Sequence, residues 1–478
     1  LGSSFTVRTM KKLFPKQEIA HDFFVQRLIN GGNSLDSSQM GTGKTVVGAR
    51  LAKTLLDLGE ITGVAVICPK AVFPSWEAEL KECGVDPIFI LNLEKLRTGK
   101  TGYVSKYGKK TFKWLLPEGT LILFDEIHKA KGPWTQNANL LIAATRFGYK
   151  IHGMSGTPCE NPIEMRPLGY MLGLHSNDKC RNGKNSWFRW LIKHRVKAGF
   201  HGGYEMRDVP FALTQLRKAM YGINTHGLTV EDFPESFRAN RVIVDPIEFS
   251  NNKQIIKSYD KLKLTASQVR DYIEKGIAPT DYTDYMGEDE EEIPIITRIL
   301  NARMETEEYK VKDIVTMAED AHDEGYNVVV FLNFKKSLDA ATEMLKSRGI
   351  GCEFIDGTVP QRDRNDIIER FQADEINCLV INAATGGTGI SLHDTHGNRP
   401  RLSLISPSFN AKEFSQVLGR IHRNGAKSDA LQKIMLSSGS IEEYVMKAIS
   451  RKMDNMNMIH HSQICEMNSS YYVNERTY

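Results

Sequence analysis

The chain has no apolar run long enough to span a bilayer and no Cys-x-x-Cys pair, and its net charge is small for its length. The longest apolar stretches fall far short of the roughly 20 residues that a transmembrane helix needs, so an integral helical membrane protein is excluded. Seven cysteines lie scattered at 68, 83, 159, 180, 352, 378 and 465, which excludes a zinc ribbon or a disulfide framework and points to a reducing compartment. No signal-peptide pattern opens the sequence. The expectation is an intracellular protein of cytoplasm, nucleus or virus-infected host cell, neither secreted nor membrane-bound. Sixty-two basic residues against 58 acidic ones leave a net charge of +4. A global basic excess for nucleic acid is therefore absent, although a local basic groove can sit inside a near-neutral total.

What is present is length and core. The 478 residues, 41% hydrophobic and 25% charged, suit more than one globular domain. Short apolar runs alternate with helical patterns in two separate regions. Val64–Cys68 and Leu121–Phe124 read as buried parallel strands in the first. Val328–Leu332, Cys378–Asn382 and Leu402–Ser406 do so in the second, interleaved with helical spacing over Leu338–Leu345 and Arg364–Phe371. The fold class is α/β: two tandem doubly wound parallel-sheet domains, with a mainly helical, peripheral stretch from about 164 to 230. The expected division is 1–234, 235–460 and a tail of 461–478, hinged near Asp232-Phe233-Pro234-Glu235. The acidic run within Asp281–Glu292 reads as a solvated loop.

The chemistry concentrates in two motifs. Gly41-Thr42-Gly43-Lys44-Thr45 is a glycine turn opening a helix, where backbone N–H groups and the helix N-terminus favour phosphate. Lys44 would reach the terminal phosphates and Thr45 would offer its hydroxyl to Mg²⁺. Ser38 stands where the first glycine of this loop is usual. Asp125-Glu126 ends the Leu121–Phe124 run, placing Asp125 to hold the same metal and Glu126 to orient and activate a water. The pair makes nucleotide hydrolysis the leading reading.

Further motifs carry a family resemblance. Asp125-Glu126-Ile127-His128-Lys129-Ala130-Lys131 resembles motif II of superfamily 2 helicases, and its Lys-x-Lys is similar to the Snf2-like branch. Ser155-Gly156-Thr157-Pro158 with Asn161 resembles motif III of that branch. Cys68-Pro69-Lys70 with Trp76 and Glu79 resembles motif Ia. Thr385-Gly386-Gly387-Thr388-Gly389-Ile390-Ser391-Leu392 resembles motif V, with Ser391 where the branch has Asn. Gln416-x-x-Gly419-Arg420-x-His422-Arg423 resembles motif VI. Ser38-Gln39-Met40-Gly41 stands where the branch has Asp-Glu-Met-Gly. The matches run in order along nearly the whole chain.

The resemblance implies two RecA-like lobes, ATP with Mg²⁺, and nucleic acid as track. It implies a nucleotide site of Met40, Gly41, Thr42, Gly43, Lys44, Thr45 and Gly389, and it makes Gln17 the adenine-reading glutamine. Arg420 and Arg423 would supply the transition-state charge, an effect worth roughly 10³–10⁵ in rate. His128, Ser155, Thr157 and Gln416 would couple nucleotide state to movement. Lys70, Thr157, Asn333, Lys335, Thr385 and Thr388 would grip phosphates independently of base sequence. Trp76 reads as a packing residue behind motif Ia. Ile441–Met446 begins an amphipathic helix resembling the one that packs lobe two back toward lobe one.

The leading expectation is an ATP-driven translocase on double-stranded or branched DNA. A strand-separating DNA or RNA helicase is the second reading. An ATP-gated clamp without turnover is the third, and a small-molecule kinase leaves motif VI without a purpose.

Overall fold

A computed structural model of the protein describes residues 12–108, 110–177, 186–198, 204–262, 295–386, 390–460 and 467–468. The chain divides into two compact units, Leu1–Asp232 with Asn455–Ser462, and Phe233–Asp454 with Gln463–Tyr478.

The first unit is built on a six-stranded sheet. Its strands are β1 (Ser34–Asp36), β2 (Gly63–Ile67), β3 (Phe89–Leu91), β4 (Thr120–Asp125), β5 (Lys150–Met154) and β6 (Thr225–His226). They lie in the order β6-β1-β5-β4-β2-β3, every pairing parallel. Strands covered on both faces need no alternation, and the first five residues of β4 are all buried. Helices α1 (Pro15–Ile29), α2 (Lys44–Asp57), α3 (Phe73–Glu82) and α4 (Gln136–Arg146) belong to this unit. Proline occupies the first turn of α1, where its missing N–H costs no bond, and Gln17 Oε1 accepts from the Phe14 N–H at 3.0 Å. Residues 164–230 hold helices at Met165–Met171, Trp187–Lys193 and α5 (Val209–Met220). They also hold an antiparallel hairpin, Val196–Ala198 with Tyr204–Met206, and the edge strand β6.

The second unit carries β7 (Asn240–Ile243), β8 (Asn327–Leu332), β9 (Cys352–Ile355), β10 (Cys378–Asn382), β11 (Arg401–Ile405), β12 (Ala430–Ile434) and β13 (Met467–Asn468). The order is β9-β10-β8-β11-β12-β7-β13, again wholly parallel. Its helices include α6 (Ile295–Asp323), α7 (Lys335–Ser347), α8 (Gln361–Gln372), α9 (Ala411–Leu418) and α10 (Glu442–His460), the last belonging to the first unit from Asn455 onward. Both units are RecA-like α/β domains. The acidic run within 281–292 lies outside the described residues. Cys68, Cys83, Cys159, Cys352 and Cys378 are buried free thiols, and no helix among the described residues is long and apolar enough to cross a membrane.

A buried ion pair ties α6 to the start of α10. The Lys310 ammonium, 1% exposed, donates to Glu442, 3% exposed, and to the Met435 carbonyl at 3.1 Å. Glu442 also accepts from Tyr259 Oη at 3.0 Å and from the Ser437 N–H at 2.9 Å. Removing one partner strands a charge in a dry core. Lys310→Met is therefore expected to destabilise the second unit by roughly 3–5 kcal/mol, read as a lowered urea midpoint, and Glu442→Gln in the same chain should restore part of the loss.

Burial also sets an acid limit. His152, buried on β5 with Nδ1 2.8 Å from Ser34 Oγ, is pushed down to about 3 by desolvation. Desolvation likewise holds His175, His393 and His460 at about 4. These rings stay neutral in the fold, whereas the unfolded chain takes up protons near pH 6.5. Their contribution is complete above pH 6.5 and is lost as pH falls toward 4, at about 1.4 kcal/mol per pH unit for each ring. Three of the four lie in the first unit, so its melting temperature should fall more steeply than that of the second between pH 6.5 and 5, as scanning calorimetry would show.

Candidate active site

The nucleotide loop leaves β1 at buried Asp36 and enters α2 at Lys44. Gly41 and Gly43 take left-handed backbone angles, φ 81° and 92°. A Cβ on Gly43 would stand 2.5 Å from Gln17 Nε2, so glycine is required there for both conformation and space. Gln17 is buried, and its Nε2 donates to the Thr42 carbonyl at 2.8 Å. Its amide thus spans from the start of α1 to the loop. Lys44 Nζ donates to the carbonyls of Ser38 (2.7 Å) and Gln39 (2.9 Å), and Thr42 Oγ1 donates to the latter at 2.8 Å. Met40 on the loop and Thr45 in the first turn of α2 are half-buried.

The departures from the usual loop sequence have partners. Ser38 Oγ accepts from the Leu228 N–H at 2.9 Å, and Gln39 Oε1 accepts from the Val230 N–H at 2.7 Å. The Gln39 N–H donates to the Leu228 carbonyl at 2.8 Å. Two side chains that replace Asp-Glu therefore clip the loop to the segment after β6. Asp36 Oδ1 accepts from the Ser38 N–H at 2.8 Å. Burial raises the Asp36 carboxyl above its ordinary range despite the opposing charge of Lys44.

Asp125 ends β4 beside this loop. Burial, and then the adjoining Glu126 charge, push its carboxyl up to about 6, against the opposing effects of Trp76 and Lys44. Trp76, wholly buried on α3, donates its indole N–H to Asp125 Oδ2 at 3.0 Å, and the Glu126 N–H donates to Oδ1 at 2.9 Å. The packing assigned to Trp76 from sequence is accompanied by a polar contact that the sequence did not signal.

Glu126 has φ 52°, a left-handed angle in a residue with a Cβ. Its Oε2 lies 2.9 Å from His128 Nδ1, which is 2.8 Å from Ser155 Oγ at the end of β5. Thr157 enters through its backbone, its N–H donating to Ser155 Oγ at 3.3 Å. The Ser155 N–H donates to the Asp36 carbonyl at 2.9 Å, joining this line to the nucleotide loop. Lys131 pairs with Glu160 and, at 2.7 Å, with Glu164. Burial opposes its charge, but the two carboxylates outweigh burial and hold its pKa above the ordinary value. Lys70 is exposed just past β2.

In the second unit Arg420, 1% exposed, and Arg423 converge on one carbonyl. Nη1 of the first and Nη2 of the second donate to Ile390 O at 3.1 and 3.0 Å. Gln416 is buried on α9. Asn333 is engaged within the second unit. Its Nδ2 donates to Glu307 Oε2 at 2.7 Å and lies 3.2 Å from Ser406 Oγ, and its backbone N–H donates to both Glu307 oxygens. Lys335 is exposed and paired with Asp339 (2.9 Å) and Asp356 (3.1 Å). Thr388 and Gly389 lie outside the described residues, as does the side chain of Thr385.

Two RecA-like units, the first with a glycine phosphate loop beside an acidic strand end, define a nucleotide-hydrolysing enzyme of the two-lobed kind. Residues 309–425 match the family model described as the helicase conserved C-terminal domain. The chain is 26% identical, over 98% of its own length and 87% of the relative's, to an Acanthamoeba polyphaga mimivirus protein provisionally named an ATP-dependent RNA helicase. It is 21% identical to Protein CHROMATIN REMODELING 24 of Arabidopsis thaliana, over 94% of this chain and 46% of that one. It is 20% identical to the DNA repair and recombination protein RAD54 of Saccharomyces cerevisiae, over 87% of this chain and 52% of that one. It thus spans about half the length of these last two. A solved Sulfolobus solfataricus SWI2/SNF2 ATPase core in complex with dsDNA aligns over 95% of this chain and 94% of that chain at 16% identity, with a TM-score of 0.38. The domain match and the relatives support a superfamily 2 helicase-type ATPase similar to the Snf2-like branch.

Trp76→Phe keeps the ring packing and removes one donor from the half-buried Asp125 carboxylate. The expected cost is about 1–3 kcal/mol, measured as a lowered unfolding midpoint of the first unit.

Proposed function

We propose that the protein is an ATP-driven motor that translocates along double-stranded DNA and remodels DNA or protein–DNA complexes, branch migration and fork reversal included. The observation that carries this reading is the cluster of Glu126, His128 and Ser155, in which one histidine nitrogen, Nδ1, lies within hydrogen-bond distance of both the acid placed to activate water and the motif III loop. A hydrolysis site wired to a neighbouring loop suits an engine better than a passive clamp.

The N–H groups of the loop from Met40 to Thr45 cradle the phosphates, and Lys44 leaves its carbonyl partners to meet them. Gln17, already holding the loop, has remaining donor and acceptor capacity for an adenine edge, and Gly389 completes the nucleotide contacts. Thr45 and Asp125 fit Mg²⁺, since a hydroxyl and a carboxylate are the hard oxygen donors it takes and the acid pair at Asp125-Glu126 favours a cation. When bound, Mg²⁺ supplies charge neutralisation on the phosphates. Glu126 orients the attacking water and takes its proton, with His128 fixing the carboxylate. Arg420 and Arg423 stabilise transition-state charge, and Gln416 couples with His128, Ser155 and Thr157. The track is held without base readout by Lys70, Thr157, Lys335, Thr385 and Thr388, with Asn333 bracing its loop through Glu307.

A strand-separating helicase is the second reading, favoured by the name of the mimivirus relative. ATPase rates on blunt duplex, forked DNA, a four-way junction, single-stranded DNA and single-stranded RNA separate the two. Duplex or junction DNA is expected to stimulate most, and stimulation by single-stranded RNA alone overturns the proposal. Glu126→Gln should lower the hydrolysis rate by about 10²–10⁴ while nucleotide binding persists. An unchanged rate would remove Glu126 from its role.

A further inference from the structure

Between Thr98 and Leu116 the chain has lysines at 100, 106, 109, 110 and 113 and no acidic residue. This stretch carries five positive charges, whereas the whole chain nets +4. It forms a two-stranded antiparallel hairpin, Val104–Tyr107 with Thr111–Trp114. One face is anchored, since Val104, Phe112 and Trp114 are buried in the core. Tyr107, Thr111 and Lys113 on the opposite face are exposed, as are Lys100, Lys106 and Lys110.

None of the four described lysines meets a carboxylate. Lys106 donates to Gln136 Oε1 at 3.2 Å and Lys110 to the Trp134 carbonyl at 3.1 Å, both neutral oxygens. Cross-strand pairing offers no relief, because Lys113 faces Ser105 and Lys106 faces Phe112. A hairpin shaped for solubility mixes signs along its surface. Concentrated charge of one sign instead raises the local potential for an anion.

The hairpin's direction matters as much as its charge. Near its base, the Trp114 indole N–H donates to the Leu140 carbonyl midway along α4. Its tip reaches Trp134 and Gln136, at the start of that helix. Helix α4 leads from the end of β4 to the beginning of β5, and these strands are parallel. Its N-terminus therefore lies at the carboxyl edge of the sheet, the edge that carries the nucleotide loop and Asp125. Two aromatic rings accompany the lysines there. Trp134 is 43% exposed with the Arg166 guanidinium 4.1 Å from its centroid, and Tyr107 is 58% exposed.

We infer that the Val104–Trp114 hairpin is a second nucleic-acid contact, in which Lys100, Lys106, Lys110 and Lys113 hold the phosphodiester backbone of duplex DNA outside the helicase motifs. The inference rests on the motor reading above and extends it to a surface that those motifs do not include. Phosphate contacts of this kind anchor a duplex without reading its sequence.

The test uses the full chain carrying Lys106→Gln, Lys110→Gln and Lys113→Gln, all exposed positions. Anisotropy titration of a labelled blunt duplex over a range of salt gives log affinity against log salt. The slope is expected to shrink by about 0.9 per lost phosphate contact, about 2.7 for three, with weaker affinity at every salt and an unchanged ATPase rate in the absence of DNA. An unchanged slope and affinity, in a wild type that does bind duplex, overturns the hairpin and leaves the motor intact. The same loss from Lys253→Gln, Lys257→Gln and Lys312→Gln in the second unit also overturns it, because the effect is then one of total charge. A loss confined to single-stranded RNA overturns the choice of duplex DNA. A wild type that neither binds nor responds to any nucleic acid overturns the motor reading and the hairpin with it.

Discussion

Two carboxylates on consecutive residues at the end of a buried strand cannot share one environment, and the arrangement of the first unit follows from their separation. Asp125, half-buried, is held by Trp76 and by the backbone of its neighbour. Glu126 is turned away by a left-handed φ of 52°, a conformation that costs on the order of 1–3 kcal/mol for a residue with a Cβ. What stabilises that turn is the contact it creates with His128. The register then does the rest. Asp125 pairs with Met154 across β4 and β5, so Ser155 emerges one residue later, within reach of His128. Because β5 also flanks β1, the same serine bonds to Asp36 at the root of the nucleotide loop. One backbone reversal gathers the water-activating candidate and the serine at the end of β5 around a single histidine nitrogen, beside the loop.

The parts of this arrangement legible in the sequence are those with local signatures. The apolar runs gave strands within a residue of their observed ends, and Cys378–Asn382 coincides. The offsets arise because backbone pairing extends to Gly63, Thr120, Asn327 and Arg401, which an apolar pattern does not count. Strand β1 escaped because Ser34-Leu35-Asp36 is mostly polar although wholly buried. Strand β6 is too short to show periodicity. The partners of Ser38 and Gln39 lie some 190 positions away, and no local motif encodes a backbone N–H at that distance. Glu307 shows the same limit. It sits among Glu305 and Glu308 on an amphipathic helix, indistinguishable from solvated acids, yet it is buried and fixes Asn333.

The second unit solves a related problem with carbonyls. Arg420 and Arg423 follow α9, and both reach back to Ile390 O. The Leu392 N–H in turn donates to the Arg420 carbonyl at 2.9 Å. The segments resembling motifs V and VI are therefore laced together by main-chain and guanidinium bonds, so the placement of one constrains the other. A planar guanidinium with five donors can be oriented by such a carbonyl and still present further N–H groups to a phosphate, which an ammonium does less well.

The near-neutral total charge acquires a different meaning once individual cations are followed. Where a cation serves the fold, it is enclosed with anions: Lys310 with Glu442, Lys131 with Glu160 and Glu164, Arg401 with Asp374 at 2.9 Å. Such pairs add nothing to the outward field, because each compensates itself at short range. The hairpin of the first unit is built on the opposite rule, with its described lysines on neutral oxygens or in solvent. A chain whose basic and acidic residues almost balance can thus present a local positive surface, provided that its acids are committed elsewhere. The +4 total reports the sum, whereas a polyanion responds to the charge within about one Debye length, roughly 8–10 Å.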